Sequence, residues 1–286
     1  MSAYSSSLDW IDSQQMTMIS RLKAWCEINT GSYNVNGLNK QCNQLMDTFN
    51  SLNMDVERKS LPPHQYMNDE GRIIEKEIGD LLLVSRRTES DRTVFLGGHM
   101  DTVFPADSSF QHVRWDGDDT LVGPGVTDDK GGLVVLLTAI ECFENSPLSD
   151  SIGWEIFINP DEELGSPSSG ERLKKRAKQH DFGLIFEPPL PDGRMVTERK
   201  GSGDFSVLIE GKSAHAGRNP DKGRDAVYQL ANLIVELNEL DEENEGLICN
   251  VGRINGGGPV NIVPDHALAH MNVRATTVSD QELFLD

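Results

Sequence analysis

Residues 93–101 read TVFLGGHMD, an unbroken apolar run that ends in a histidine and an aspartate. A continuous run of this kind is typical of a central strand whose two faces are both covered. Similar runs recur at GDLLLVSRR (79–87) and IGWEIFINP (152–160), and FGLIFEPP (182–189) is a fourth predicted strand. A helical pattern, KGGLVVLLTAIECFEN (130–145), lies between the runs at 93–101 and 152–160. Strands that alternate with helices predict an α/β sheet with covered faces.

The pattern changes after about Arg194. GDFSVLIEG (203–211) alternates between apolar and polar residues, which suits a strand with one exposed face. A helical segment at 224–240 and two further strands, at 247–257 and 267–277, follow it. We therefore predict two domains, a larger one over residues 1–196 and a smaller α+β domain over residues 197–286.

Composition excludes several classes of function. The 286 residues carry a formal net charge of −20, which argues against binding nucleic acid or anionic membrane through a basic surface. The four cysteines lie far apart without CxxC pairing, as expected for reduced thiols. The N-terminus lacks the pattern of a secretory signal, and the longest apolar run, LVVLLTAI (133–140), is too short to span a bilayer. These features predict a cytoplasmic protein.

Polar residues of the metal-binding type follow the predicted strands. In open α/β sheets, ligands collect beyond the carboxyl ends of the strands. Taken singly, these residues have ordinary explanations, such as a surface pair, an acidic turn or a helix cap. Taken together they match a two-metal hydrolytic centre, in which paired metals activate a water. The candidates are His99, Asp101, Asp128, Asp129, Asp161, Glu162, Glu163 and Glu187.

The order of these motifs resembles a known family. HMDTVFP, GPGVTDDKGG, PDEELGS and IFEPP, followed by GKSAHAGRNPDKGRDA (211–226) and NIVPDHALAHMNVRA (261–275), are similar to co-catalytic zinc metallohydrolases. That family includes glutamate carboxypeptidase, acetylornithine deacetylase and succinyl-diaminopimelate desuccinylase. The resemblance implies a mixed, mostly parallel sheet of the zinc-exopeptidase type. It also implies an inserted ferredoxin-like α+β domain that serves as lid and dimerisation domain.

The resemblance assigns roles at the metal centre residue by residue. His99 would bind one metal, with Asp101 orienting its imidazole, and Glu187 would complete the protein ligands of that metal. Asp128 would bridge both metals and be followed by a cis peptide bond. Glu163 would bind the second metal. The expected ions are two Zn²⁺ per subunit, with cobalt or manganese as possible replacements.

Further roles concern proton transfer and substrate binding. By the same resemblance, Glu162 is the general base, and Asp161 is a bystander that is either solvated or supports the ligands. His215 would stabilise the oxyanion in its own active site or in that of a partner subunit; the alternative is an exposed loop histidine. Asn261 and Arg274 would bind the substrate carboxylate, although Arg274 could instead be a strand-surface residue.

The family has one more ligand, a histidine that follows the lid domain. The sequence ends at Asp286 within the lid, so both domains are expected to be incomplete at the C-terminus. The site of Asp128 and Glu163 would then lack its third protein ligand, since a catalytic zinc normally has three. We expect the 286-residue chain to bind nearer one zinc than two, and to be a fragment of a longer protein rather than a natural truncation.

The leading functional prediction is a two-zinc hydrolase that cleaves an amide bond next to a free carboxylate. Such a carboxypeptidase would release a C-terminal amino acid such as glutamate, acting as a homodimer joined through the lid. The close alternative is an N-acyl amino acid deacylase of the same family. An alternative of another class is a catalytically silent protein that binds metal and dimerises. The substrate is thus expected to be a small peptide or an N-acyl amino acid.

Overall fold

A computed structural model describes residues 5–285. Its helices are α1 (Ser5–Ser13), α2 (Gln15–Cys26), α3 (Val35–Ser51), α4 (Lys130–Glu144), α5 (Gly170–Ala177), α6 (Ala226–Glu243) and α7 (Val278–Leu285). Its strands are β1 (Asp55–Lys59), β2 (His64–Met67), β3 (Ile73–Lys76), β4 (Leu81–Arg86), β5 (Thr93–His99), β6 (Arg114–Asp116), β7 (Thr120–Val122), β8 (Gly153–Asn159), β9 (Phe182–Ile185), β10 (Gly201–Glu210), β11 (Ala214–His215), β12 (Leu247–Gly256), β13 (Ile262–Val263) and β14 (His266–Ala275).

The chain divides into two compact units. The first comprises the chain up to His64 together with Glu75–Asp192, and the second comprises Gln65–Ile74 together with the chain from Gly193 onward. The second unit therefore includes a short hairpin tip, between β2 and β3, that comes from the N-terminal part of the sequence.

The first unit is built on a five-stranded sheet in the order β1-β4-β8-β5-β9. β5 pairs in parallel with β8 and with β9, whereas β4 pairs antiparallel with β1 and β8. The prediction of a mixed, mostly parallel sheet is confirmed, since β1, β8, β5 and β9 run in one direction and β4 alone runs against them. The short link between β4 and β5 reverses the chain direction, because a parallel connection needs a crossover of a dozen or more residues.

Alternate residues of the central strands fill two cores. Leu82, Val84, Leu96, Ile156 and Ile158 pack with residues of α2, α3 and α4 on one face. The intervening residues, Leu81, Leu83, Phe95 and Phe157, form a smaller cluster that Leu173 and Ala177 of α5 cover on the other face. Burial on both faces explains the unbroken apolar runs of β4, β5 and β8, whereas β9, at the edge of the sheet, is exposed.

Among the ion pairs of the first unit, one joins β8 to α5. Glu155, in the middle of β8, is 2% exposed and accepts hydrogen bonds from Nε and Nη2 of Arg176 on α5. Because Arg176→Ala would leave a buried carboxylate without its partner, we expect it to lower the free energy of unfolding by about 3–5 kcal/mol. Denaturant titration of this variant measures the loss. The neighbouring Lys175→Ala is the control, and a loss as small as that of this exposed residue would contradict the expectation.

The second unit is a three-stranded antiparallel sheet in the order β10-β14-β12. α6 covers one face, with Ala226 and Leu230 packed against alternate residues of β14. The succession of β10, α6, β12, β14 and α7 is the order predicted for the ferredoxin-like α+β domain.

In the described residues, no helix is long and apolar enough to cross a membrane. All four cysteines are free thiols, three of them buried.

Candidate metal centre

The parallel strands bring the candidate residues to one edge of the sheet. His99 at the end of β5 is level with Asn159 at the end of β8, and Gly97 is level with Ile185 of β9. The residues that follow each strand therefore meet beyond the carboxyl edge, where ligands of open α/β sheets bind. Among them are the acidic turn after β8 and Glu187 after β9.

His99 is at the centre of the cluster and is fully buried. Its Nε2 lies 2.8 Å from Asp128 Oδ1, 3.6 Å from Glu187 Oε1 and 4.0 Å from Glu162 Oε2. Its Nδ1 lies 3.1 Å from the carbonyl oxygen of Asp101 and 3.2 Å from Asp101 Oδ1. With two acceptors beside Nδ1, that nitrogen carries the proton of the neutral ring, and the lone pair of Nε2 faces the carboxylates.

Asp101 connects the imidazole to both glutamates of the acidic turn. Its Oδ1 accepts the backbone N–H of Glu162 at 3.1 Å, and its Oδ2 accepts the backbone N–H of Glu163 at 3.1 Å. Ser32 donates a further hydrogen bond to Oδ2 at 2.8 Å. With the His99 ring, four donors surround this buried carboxylate, which fixes the positions of His99, Glu162 and Glu163 together.

Asp128 enters the site from the loop before α4. The peptide bond between Asp128 and Asp129 is cis, as the sequence resemblance implied. Asp129 is buried behind the site, and its Oδ2 accepts the backbone N–H of His99 at 3.1 Å. Gly132 is required here, because a Cβ on it would lie 1.9 Å from the carbonyl oxygen of Phe186. The absent side chain lets the start of α4 lie against the segment that carries Glu187.

The acidic turn separates its three carboxylates. Glu162 and Glu163 are partly exposed in a short 3₁₀ helix, whereas Asp161 is fully buried. Asp161 accepts hydrogen bonds from the backbone N–H groups of Ser168 and Ser169 and from the Ser169 hydroxyl. It therefore anchors the following loop and is not solvated.

The donor set suits a divalent metal ion. Two groups have ligand atoms that all lie within 4.8 Å of one another: His99, Asp128 and Glu163, and His99, Glu162 and Glu187. Nitrogen and carboxylate ligands bind zinc at about 2.0–2.2 Å, so atoms that share one tetrahedral ion are separated by about 3.5 Å. The distances from Nε2 bracket this value. Both groups include His99, and Glu162 belongs to one of them, so the geometry does not by itself separate the predicted base from the predicted ligands.

Charges in the site favour a cation. Burial lowers the pKa of His99, but hydrogen bonds to Asp101 and Asp128 outweigh burial and raise it to about 11. Burial, followed by the charge of Asp128, raises the pKa of Glu163 to about 7. Burial likewise raises the pKa of Asp129 to about 8. Crowded carboxylates that stabilise an imidazolium would stabilise a metal cation in the same way.

In the second unit, His215 and Asn261 are neighbours. His215 pairs with Ile262 across β11 and β13, and Ala216 donates its N–H to the carbonyl oxygen of Asn261 at 2.9 Å. The Nδ1 of His215 accepts the N–H of Gly217 at 3.1 Å, so the proton of the neutral ring is on Nε2. His215 is exposed and presents an N–H donor.

Arg274 lies on β14, in the three-stranded sheet, whereas His215 lies in the separate two-stranded sheet of β11 and β13. Arg274 is level with Ser202 at the start of β10, whereas the end of β10, at Glu210, is level with His266. Eight residues of strand at about 3.3 Å each separate these two levels by about 26 Å. Arg274 therefore lies at the far end of β14 from the segment that leads back to Asn261.

Three residues at the site carry no predicted role. Ser32 comes from a loop 69 residues away from Asp101, so only the fold reveals the contact. Asp129 follows Asp128 in the sequence, and the resemblance implies no role for it. Lys130 is fully buried, and burial lowers its pKa to about 8. Its position at the start of an apolar helix could have identified Lys130 from the sequence as a residue with a special role.

Comparison with known proteins identifies a domain family and two relatives that the chain resembles. Residues 197–285 match the family described as Peptidase dimerisation domain. Over 266 residues the chain is 28% identical to Carboxypeptidase G2 of Pseudomonas sp. (strain RS-16), covering 91% of this chain and 60% of that protein. It is 31% identical over 179 residues to Succinyl-diaminopimelate desuccinylase of Dechloromonas aromatica, covering 58% of this chain and 47% of that protein. The chain thus spans about half to three-fifths of these relatives.

Solved structures agree on the fold. Aminopeptidase PepT from Bacillus cereus superimposes with a TM-score of 0.66 at 23% identity, covering 95% of this chain and 69% of PepT. The M20 family metallo-carboxypeptidase Sso-CP2 from Sulfolobus solfataricus gives a TM-score of 0.66 at 18% identity, covering 94% of this chain and 73% of that protein. At this identity the likeness concerns the fold alone. The chain is therefore a homologue of Carboxypeptidase G2 and of a succinyl-diaminopimelate desuccinylase, it shares the fold of M20 peptidases, and its residues 197–285 match a peptidase dimerisation domain.

Proposed function

We propose that the protein to which this chain belongs is a two-metal hydrolase that cleaves an amide bond next to a free carboxylate. The observation that carries the proposal is the set of carboxylates around Nε2 of His99, namely Asp128, Glu187 and Glu162. The expected product is a C-terminal amino acid such as glutamate, in line with the similarity to Carboxypeptidase G2.

Each residue has a distinct part in this reaction. Bound metal ions would supply Lewis-acid polarisation of the scissile carbonyl and acidify a water. His99, Asp128, Glu163 and Glu187 would hold the ions. Glu162, whose side chain is 45% exposed, would accept a proton from the attacking water at its carboxylate and return it to the leaving amine. Asp101 holds the backbone of Glu162 and orients that base.

We further propose that His215 acts on a partner subunit. Its Nε2–H would donate to the oxyanion, and Asn261 beside it would help to bind the substrate, whereas Arg274 would bind the substrate carboxylate with its bidentate fork. His215 follows the end of β10, whereas Arg274 is level with the start of β10, so we infer that the two groups reach one active site from different subunits. A homodimer joined through the second unit would supply them in this way, in line with the match to a dimerisation domain.

A second candidate, an N-acyl amino acid deacylase, is favoured by the similarity to the desuccinylase. Both reactions use the same centre and differ only in the acyl side of the amide. A metal-binding protein without catalysis is the remaining alternative. The four free cysteines support our further proposal that the protein works in the reducing cytoplasm.

The test is a substrate panel. The whole protein is loaded with zinc, cobalt or manganese and assayed on peptidyl-glutamates, other dipeptides and N-acyl amino acids. We expect hydrolysis that requires the free carboxylate, so that the corresponding amides are not cleaved. Preference for N-acyl over peptidyl substrates would favour the deacylase. Tight metal binding without turnover of any member of the panel would favour the silent alternative.

A further inference from the structure

We propose that residues 25–34, which join α2 to α3, form a brace that positions the metal centre, and that Ser32 and Lys130 are its two clamps. This inference rests on the proposed metal site but concerns residues that are not ligands. The brace contacts the centre at two separate points, one beside His99 and one beside Asp128.

The first clamp is the hydroxyl of Ser32. It donates to Oδ2 of Asp101 at 2.8 Å, and both side chains are buried, with Ser32 only 7% exposed. Asp101 in turn contacts Nδ1 of His99 and the backbone of both glutamates. Removal of the hydroxyl would leave this buried carboxylate with three of its four donors, and its orientation would be held less firmly.

The second clamp is the ammonium group of Lys130. This residue lies in the first turn of α4, two positions after Asp128, and is fully buried. Its Nζ donates to the carbonyl oxygens of Ile28 at 2.7 Å and Trp25 at 3.1 Å. The Trp25 carbonyl lies in the last turn of α2 and the Ile28 carbonyl just after the helix, where the helix dipole favours a cation. The loop that carries Asp128 is thereby attached to the brace.

The brace is itself held in one conformation. The backbone N–H of Thr102, next to Asp101, donates to the carbonyl oxygen of Thr30 at 2.9 Å. The side chain of Asn34 donates to the carbonyl oxygen of Asn29 at 3.0 Å, which closes the loop on itself. A Cβ on Gly31 would lie 2.5 Å from the carbonyl oxygen of Phe104, so the loop packs closely against the residues that follow β5. A loop fixed in this way holds the two clamps, and therefore His99 and Asp128, at a constant distance from each other.

The experiment compares zinc affinity in the wild-type chain and three variants. Ser32→Ala removes the first clamp, and Lys130→Met removes the second at similar length. Thr138→Ala is the matched control, since Thr138 is a buried residue of α4 whose hydroxyl donates to Val134. Zinc dissociation constants are measured by competition with a chromophoric chelator, and the cobalt-substituted proteins are compared by their visible absorption. Unfolding of the metal-free proteins is followed separately.

We expect Ser32→Ala to weaken zinc binding about tenfold, as outer partners of ligands do, and to shift the cobalt spectrum, with Thr138→Ala unchanged in both. Lys130→Met distinguishes the effect of the lysine's charge on zinc binding from the effect of its hydrogen bonds to the brace. Loss of a buried cation beside the site would by itself tighten zinc binding, whereas loss of the clamp weakens it.

Three results would overturn the brace. They are wild-type affinity and spectrum in Ser32→Ala, tighter binding in Lys130→Met, or loss of metal-free stability in both variants without a change in affinity. In each of these cases a wild-type chain that binds zinc leaves the proposed function standing. A wild-type chain that binds no zinc would overturn both proposals. If Lys130→Met does not fold, the milder Ser32→Ala decides the outcome.

Discussion

Glu162→Gln in the whole protein is expected to lower kcat by about 10²–10⁴-fold, the range for loss of a general base. Glutamine has the same shape and keeps the backbone N–H that Asp101 accepts, so the turn is expected to keep its conformation. It cannot take up the proton of the attacking water. Metal content and steady-state kinetics are measured on the same preparations.

The metal content decides how the loss is interpreted. Oε2 of Glu162 lies 4.0 Å from Nε2 of His99, close enough for Glu162 to belong to a ligand group. A base is expected to lose activity with its metal affinity retained, whereas a ligand would lose metal first. Glu171→Gln, at an exposed carboxylate on α5, is the control. Full activity in Glu162→Gln would refute the assignment of the base.

The sequence is informative about the site because its residues follow strands. His99, Glu162, Glu163 and Glu187 come at or just after β5, β8 and β9, and the alignment of parallel strands brings them together. The apolar runs predicted these strands, although only β5 and β8 are buried, whereas β9 at the edge of the sheet is exposed. By contrast, the direction of β4 was not evident, because an apolar run looks the same whether its neighbours are parallel or antiparallel.

The contacts that support the site could not be predicted from the sequence, for a different reason. The Ser32 hydroxyl and the Asp101 carboxylate belong to segments with no shared periodicity, and only the packed structure gives their separation. Lys130 and Asp161 illustrate the related problem of burial. A charged residue is exposed by default in sequence reasoning, yet the structure buries both and satisfies them with backbone groups.

His215→Ala is expected to lower kcat by about 10²–10³-fold, the usual cost of losing one oxyanion donor. His112→Ala, at a histidine whose side chain is 85% exposed, is the control. The location of the site on which His215 acts is tested by mixing. In the proposed homodimer, Glu162→Gln inactivates a subunit's own centre, whereas His215→Ala inactivates the centre of its partner.

A mixed dimer of these two variants has one active site with both changes and one site with neither. Subunits exchanged between the two inactive preparations are therefore expected to recover activity, up to about half that of the wild-type dimer in each mixed dimer. Recovery should rise with the extent of exchange, and each variant incubated alone should remain inactive. If His215 served the centre of its own chain, every site in the mixture would carry one lesion, and no activity would return. That outcome would leave the role of His215 intact but would remove the reason to separate it from Arg274, whose position at the far end of β14 would then need a different explanation.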